Sequence, residues 1–266
     1  MSEFKLTNEQ IDQFKADGYL MLPRLFDDEE MDLLRKIGRA DTRLASEARD
    51  RLDAAGGKSR LALRNDLGDD IYSAFVRSHR IASLMEQLLE GEVYHYHHKM
   101  MMKEPHAGGA WEWHQDYGYW YSGACLLPDM GSCMIAVDRA TRENGCLQVV
   151  RGSHRMGRID HGNTGDQTGA DLERVEAALQ RMELVYCEME PGTALFFHSN
   201  LLHRSDQNRS PNPRWVLICC YNTARNNPYR EIPGGHPRYS PLEKWPDQRI
   251  KEIGGKQWEE LRSSVE

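Results

Sequence analysis

Val93–Lys103, VYHYHHKMMMK, is where the chain changes character. Ahead of it, apolar residues recur at helical spacing. From it onward they fall into short β-type runs separated by turn signals. The later runs are Ser132–Asp138, Cys146–Val150, Leu184–Cys187, Thr193–His198 and Trp215–Asn222. The turns are Glu143-Asn144-Gly145, Pro191-Gly192 and Pro211-Asn212-Pro213. Alternate residues of a strand share a face, so His95, His97 and Lys99 are expected to point the same way. With Glu104 downstream they loosely echo the paired-histidine metal site of a cupin, although Lys99 on that face would repel a cation.

Upstream, Thr7 offers an N-cap with Gln10 three residues on, and Ile11 and Phe14 supply a helical stripe that Gly18 stops. Tyr19–Leu25 reads as a short strand, and Asp27 or Asp28 caps a second helix carrying Met31, Leu33, Leu34 and Ile37. Residues 41–70 are charged, include Gly56-Gly57, and read as a mobile loop with a helical piece; Ile81–Leu89 is a short amphipathic helix. A Gly/Asp/Thr-rich loop at 162–169 leads into a helix, Asp171–Met182. Helices followed by evenly spaced short strands predict a mainly β fold, a sandwich or jelly roll buttressed by N-terminal helices. One domain is expected over 1–266: helical support to residue 90, a core at 91–225 with an insertion at 155–182, and an extension at 226–266.

Composition narrows the partners. The chain has 266 residues, 39% hydrophobic and 28% charged, which describes a globular protein with material for a sizeable core. A net charge of -7 and the lack of a dense Lys/Arg block argue against nucleic acid or an anionic membrane surface. The opening MSEFKLTNEQ does not read as a secretory leader, and apolar runs such as Trp215–Tyr221 are too short to span a bilayer. Six cysteines without a CxxC pair predict reduced thiols in a cytoplasmic protein rather than a zinc or disulfide framework. A small molecule is the expected partner; the oligomeric state is left open.

The chemistry concentrates in Trp111–Tyr121, WEWHQDYGYWY, where large aromatics surround one histidine and two carboxylates. Two residues apart on a strand or its end, His114 and Asp116 can converge on one ion. Two imidazoles and a carboxylate leave octahedral positions open, the pattern of non-haem Fe(II) oxygenases. Chance supplies roughly one His-x-Asp pair in such a chain, and an isolated one is mostly structural. The second histidine would come from Phe196–Ser205, FFHSNLLHRS, where spacing does not choose between His198 and His203. Arg214 heads the strand WVLICCYN. Its guanidinium belongs inside a barrel only where a carboxylate meets it; otherwise it faces water beside Pro213.

Taken in order, IDQFKADGYLMLPRLF, MMKEP, WHQD, AVDRATRENGCLQVVRGSHR, PGTALFFHSNLLHRSDQN and PRWVLICCYN resemble the phytanoyl-CoA dioxygenase family over most of the chain. These are Fe(II)- and 2-oxoglutarate-dependent oxygenases, and ectoine hydroxylase is among them. The resemblance implies a double-stranded β-helix, a jelly roll, with Fe(II) held at one mouth by His114, Asp116 and His203. His198 is then a strand residue near the site. It also implies Arg214 as partner of the distal carboxylate of 2-oxoglutarate, with Ser205 adding a hydroxyl and Lys99 beside the co-substrate. The planar fork of a guanidinium suits a carboxylate better than an ammonium does. The implied reaction consumes O2 and 2-oxoglutarate, releases succinate and CO2, and hydroxylates a small polar or anionic metabolite. Related halogenases carry a small residue in place of the carboxylate, so an intact Asp116 implies hydroxylation. Trp120 stands six residues past His114, where ectoine hydroxylase has a tryptophan near the iron. Met134 stands where human-type phytanoyl-CoA enzymes have a tryptophan, a departure that bears on the name-giving substrate.

The aromatics then become a wall that keeps water from a reactive centre. Alternation places Glu112, His114 and Asp116 on one face and Trp111, Trp113 and Gln115 on the other, so the two tryptophans are expected to be structural. Tyr117, Tyr119, Trp120 and Met134 are the candidates for substrate contact, with Lys99, His97, Asn222 and Arg225 as polar ones; Lys99 or Arg225 in the pocket would imply a substrate with a carboxylate or phosphonate. Asn222 should share the face of Arg214, since 214, 216, 218, 220 and 222 alternate to one side. Residues 41–70 and 155–182 are expected lids. The alternative reading is a non-catalytic or cupin-like relative that binds a small acid or a metal.

Overall fold

The computed structural model of the chain describes residues 4–164 and 166–263. Helix α1 (Asn8–Asp17) begins at the Thr7–Gln10 capping box and ends at Gly18, whose φ of 81° is the left-handed stop that glycine adopts without strain. Strand β1 (Tyr19–Leu22) follows, then α2 (Asp28–Ala40), capped by Asp27 and burying Met31, Leu34 and Ile37 along one stripe. Residues 41–70 are more ordered than a mobile loop. They hold α3 (Thr42–Glu47) and then a hairpin of β2 (Arg49–Leu52) and β3 (Lys58–Arg64). Ser59 and Ala62 are buried within it, and β3 pairs along β4 (Val93–Lys103). Charge on its outward positions disguised an edge hairpin, the usual protection of a sheet edge. Helices α4 (Ile71–Arg77) and α5 (His79–Leu89) precede β4.

Beyond β4 come β5 (Trp111–His114), the short helix α6 (Asp116–Trp120), β6 (Met130–Ala136) and β7 (Leu147–Val150). The expected loop at 162–169 is a two-stranded ribbon, β8 (His161–Thr164) and β9 (Gln167–Ala170), leading into α7 (Leu172–Leu179). The chain closes with β10 (Leu184–Cys187), β11 (Ala194–His198), β12 (His203–Ser205), β13 (Arg214–Thr223) and α8 (Gln248–Ser263).

The strands make a jelly roll. The major sheet runs β1-β11-β6-β13-β4-β3-β2 and the minor sheet β10-β7-β12-β5, antiparallel throughout. One face of the major sheet, with Leu217, Cys219 and Phe196, packs on α1, α2, α4, α5 and α8. The other face, with Val216, Ile218, Cys220 and Phe197, meets the minor sheet across an inner core. No helix among the described residues is long and apolar enough to cross a membrane. All six cysteines are buried and unpaired.

Two bulges decide which side chains enter the interior. On β4, His97 pairs with Cys220 but His95 pairs with Tyr221, so Tyr96 is an extra residue and the alternation inverts there. Lys103, Met101, Lys99 and His97 therefore share the inner face with Tyr96 and Tyr94. His95 turns to the helical side, where its Nε2 lies 3.0 Å from Nδ1 of His98. That overturns the expected common face of His95, His97 and Lys99 and removes the cupin-like pair. On the minor sheet, His203 pairs with His114 but Ser205 with Trp111. The extra residue turns Trp111 inward onto the inner core, against expectation, while Trp113 stays outside under Arg204.

Candidate active site

His114 ends β5 and His203 begins β12, opposite each other in register, with ring centroids 4.0 Å apart. Asp116 is not on the strand. It is the first residue of α6, so the turn at Gln115, rather than strand alternation, brings its carboxylate round to the two imidazoles. Ligand atoms of His114, Asp116 and His203 all lie within 4.8 Å of one another, and all three residues are buried. Gln115 explains the residue between them: its Nε2 donates to the carbonyls of Gly157 and Asn200, both at 2.8 Å, and its Oε1 accepts from the N–H of Ile159 at 2.7 Å. The amide is a strut that locks the turn.

Each imidazole is oriented by its own backbone. Nδ1 of His114 donates to the carbonyl of Glu112 at 2.7 Å, and Nδ1 of His203 to that of Leu201 at 2.8 Å. Nε2 is left with its lone pair facing inward, the tautomer a metal requires. Burial lowers the pKa of both rings, which holds them neutral. Oδ2 of Asp116 accepts from the hydroxyl of Ser132 on β6 at 2.9 Å. Ser132 was not singled out from the sequence; it was only the start of a strand, and the register of β6 against β13 is what aims it. Ser132→Ala should weaken Fe(II) or Mn(II) affinity by about 10–100-fold with the fold intact, as read by metal titration.

Deeper between the sheets, Arg214 is fully buried. Its Nη1 lies 3.9 Å from the thioether of Met101, while Nε and Nη2 find no partner among the described residues. Burial draws its pKa down to about 10, with no carboxylate to oppose the effect. Lys103, its register partner, is also fully buried, and its ammonium is capped by the carbonyls of Asp206 and Ser205. Ser205 lies two residues from His203 on the same strand, so it shares the inner face. Such a guanidinium is costly unless an anion meets it. A dicarboxylate reaching from the His/Asp/His cluster to Arg214 supplies that anion, so the residues present fit both iron and 2-oxoglutarate.

The remaining candidates divide. Lys99 is half-buried on the inner face, level with Ile218 and Met134, and makes no hydrogen bond or ion pair among the described residues. Tyr119 stands 5.4 Å from the His114 ring, its hydroxyl tied to the carbonyl of Thr168 at 2.5 Å. Trp120 packs edge-on against His97 at 5.6 Å. The hydroxyl of Tyr117 is taken by the carbonyl of Cys125 at 3.0 Å. Asn222 does share the face of Arg214, but its amide donates to Tyr94 and to the Asn226 carbonyl, both at 2.9 Å, and its oxygen accepts from Asn226. Arg225 lies outside, bonded to Asp129 at 2.7 Å and to the last carbonyls of α5. His198 bonds its own loop through Asn200 and faces His154.

Two residues that sequence reasoning missed lie outside the jelly-roll sheets. His161 on β8 accepts the N–H of Gln115 at 2.9 Å and crosses α6 at Gly118, where a Cβ would fall 2.1 Å from its ring. His236, beyond β13, stacks on His97 with centroids 4.5 Å apart. Neither lies in a local motif, so only the tertiary structure exposes them.

A jelly roll enclosing two inward-facing imidazoles, a carboxylate and an unpaired guanidinium has the architecture of 2-oxoglutarate-dependent non-haem iron oxygenases. Residues 14–216 match the model of a family described as phytanoyl-CoA dioxygenase (PhyH). The chain belongs to this family. It is 30% identical over 240 residues to the L-proline trans-4-hydroxylase of Streptomyces griseoviridis, covering 83% of this chain and 88% of the relative. It is 29% identical over 237 residues to the ectoine dioxygenase of Bordetella parapertussis, covering 83% and 77%. In structure it is similar to EctD from S. alaskensis with 2-oxoglutarate and 5-hydroxyectoine: TM-score 0.77, 22% identity, 92% of this chain and 89% of the other. The protein is thus an iron- and 2-oxoglutarate-dependent dioxygenase and a hydroxylase rather than a halogenase. The cupin-like or non-catalytic alternative does not hold.

Proposed function

We propose that His114, Asp116 and His203 hold the Fe(II), and that Arg214, with Ser205 beside it, grips the distal carboxylate of 2-oxoglutarate. The observation that carries this reading is the buried guanidinium on the inner face of the major sheet, its Nε and Nη2 unpartnered among the described residues, together with the His/Asp/His cluster whose two histidines lie on the facing minor sheet. We infer a small cytoplasmic metabolite of amino-acid type as substrate, with the whole chain acting as one catalytic unit. Relatives named for L-proline and ectoine support this class, and unpaired cysteines support the location.

Bound there, iron supplies the oxygen-activating chemistry that couples oxidative decarboxylation of 2-oxoglutarate to C–H hydroxylation. The protein contributes position and dryness. Ser132 and the Glu112 and Leu201 carbonyls fix the ligand atoms. Arg214 would fix the orientation of the co-substrate. Tyr119, Trp120, Met134 and the inward Trp111 line the volume left for substrate and exclude water. Tyr119, latched to β9, couples the ribbon to the site, which makes the 155–182 segment the nearer lid. Tyr117, Asn222 and Arg225 serve the fold. The test is O2-dependent succinate formation from 2-oxoglutarate with added Fe(II), with L-proline, ectoine and a panel of small acids as substrates. Iron-dependent succinate that rises with one of them is expected. None with Fe(II), O2 and any panel member refutes the proposal.

A further inference from the structure

Strand β5, which carries His114, is the end strand of the minor sheet. β12 pairs along one side of it, and no strand pairs along the other among the described residues. A free edge leaves backbone N–H and C=O groups that something else must meet. Here the β8–β9 ribbon meets them with side chains. The buried amide of Gln167 accepts from the N–H of Glu112 at 2.9 Å and donates to the carbonyl of Ala110 at 3.0 Å. It also donates to the carbonyl of Leu52, the last residue of β2, at 3.2 Å. Nε2 of His161 accepts from the N–H of Gln115 at 2.9 Å, while Nδ1 donates to the carbonyl of Ile159 at 2.7 Å, which fixes the tautomer. With both nitrogens engaged, this imidazole is not free to bind an ion.

The two residues held in this way are the ones on which the ligand geometry turns. Glu112 supplies the carbonyl that orients His114, so Gln167 grips the residue that grips the ligand. Gln115 is fully buried between His114 and Asp116, in the turn that swings the carboxylate off the strand, and rotating its peptide would move both. Tyr119 touches both rings, 5.7 Å from His161 and 5.4 Å from His114. Gly118 admits the His161 ring, since a Cβ there would fall 2.1 Å from it.

We propose that His161 and Gln167 are positioning residues for the metal-binding turn, and that the ribbon is a clamp whose docking and metal uptake stabilise each other. The ribbon joins β5 through side chains instead of a ladder, so it can leave and return without unpairing the jelly roll. Such coupling is reciprocal: an ion that fixes His114 and Asp116 holds the ribbon, and a docked ribbon holds the ion. The inference rests on the reading of His114 and Asp116 as metal ligands.

Mn(II) titration of the metal-free full chain, followed by electron paramagnetic resonance, tests this, with amide hydrogen exchange alongside. His161→Leu keeps the bulk but removes the acceptor, and should weaken Mn(II) binding by about tenfold or more, the scale for losing a group that orients a ligand. Gln167→Leu should act in the same direction. His161→Gln returns an acceptor oxygen and should recover most of the affinity. Gly118→Ala should cost as much as His161→Leu and add nothing in that background, because both remove one contact. In wild type, Mn(II) should slow amide exchange in β8 and β9, and His161→Leu should lose that slowing. Mn(II) bound by His161→Leu as tightly as by wild type, or ribbon exchange that ignores the metal, overturns the proposal. So does a loss that His161→Gln fails to recover while Gly118→Ala adds to it, the pattern of general damage to the fold. His114→Ala separates the two readings. If it binds Mn(II) as well as wild type, the ligand assignment falls; if it does not, and His161→Leu does, only the clamp falls.

Discussion

Asp116→Asn is expected to abolish iron-dependent succinate formation while raising the melting temperature of the metal-free protein. Both effects have one cause. The carboxylate is 2% exposed, accepts one side-chain hydrogen bond among the described residues, from Ser132, and faces two imidazoles that burial keeps neutral. Without a cation it is a buried charge poorly compensated by its surroundings. An amide of the same shape still accepts from Ser132 and removes the charge, a gain on the order of 1–3 kcal/mol, or about 2–4 °C per kcal/mol in a protein of this size. With metal the sign reverses. Losing a mere partner of a metal ligand costs about 10–100-fold, and losing an anionic ligand costs more. Thermal melts with and without Fe(II), together with succinate release, separate the two. If the variant keeps turnover within tenfold of wild type, Asp116 is not a ligand. Chelation of the wild-type enzyme should reproduce the loss, and added Fe(II) should reverse it.

Arg214→Met should have the second largest effect, on 2-oxoglutarate. Removing one member of a buried, hydrogen-bonded charge pair costs about 2–5 kcal/mol, so the apparent affinity should fall by about 30-fold to more than a thousandfold. Arg214→Lys should not rescue it, because an ammonium cannot present the two parallel N–H groups that a carboxylate takes from a guanidinium. Melting supplies an independent check. A ligand at about 100 times its Kd stabilises by about 2.7 kcal/mol, so 2-oxoglutarate should raise the wild-type midpoint and leave that of Arg214→Met unmoved. The unliganded variant should be no less stable than wild type, since a partnerless cation in the interior is exchanged for a flexible apolar chain. An unchanged requirement for 2-oxoglutarate would remove Arg214 from the site.

The legible parts of the molecule were those with local causes. The N-cap at Thr7, a cap at Asp27 or Asp28, which the structure resolves as Asp27, the stop at Gly18 and the strand runs from Val93 onward all follow from residues within a few positions of one another. The hairpin at 49–64 was hidden because its charged outward face mimics a solvated loop, and its burial exists only against β4. The ribbon at 161–170 was hidden because its Gly and Thr residues are turn formers, and it is placed by the Tyr119 latch and by His161 over Gly118. Asn222 is a candidate in the sequence because alternation puts it on the face of Arg214, and Arg225 because of its charge. Their partners, Asn226, Asp129 and the end of α5, lie in contacts that composition does not encode.

By itself, the sequence determined that this chain folds as helices against a jelly roll, and its ordered motifs named an iron and 2-oxoglutarate chemistry with His114, Asp116, His203 and Arg214 as the residues to watch. The tertiary structure decided which side chains share the chamber. Strand alternation has a period of two, so one extra residue in a strand inverts every side chain beyond it. Periodicity cannot announce where that residue falls, because a bulge is fixed by pairing with a neighbour far away in the chain. The slip at Tyr96 sends His95 out and leaves His97 in, and the slip opposite Ser205 turns Trp111 inward. Strand register, equally non-local, brings Ser132 to Asp116, and the segment beyond β13 folds back to bring His236 to His97.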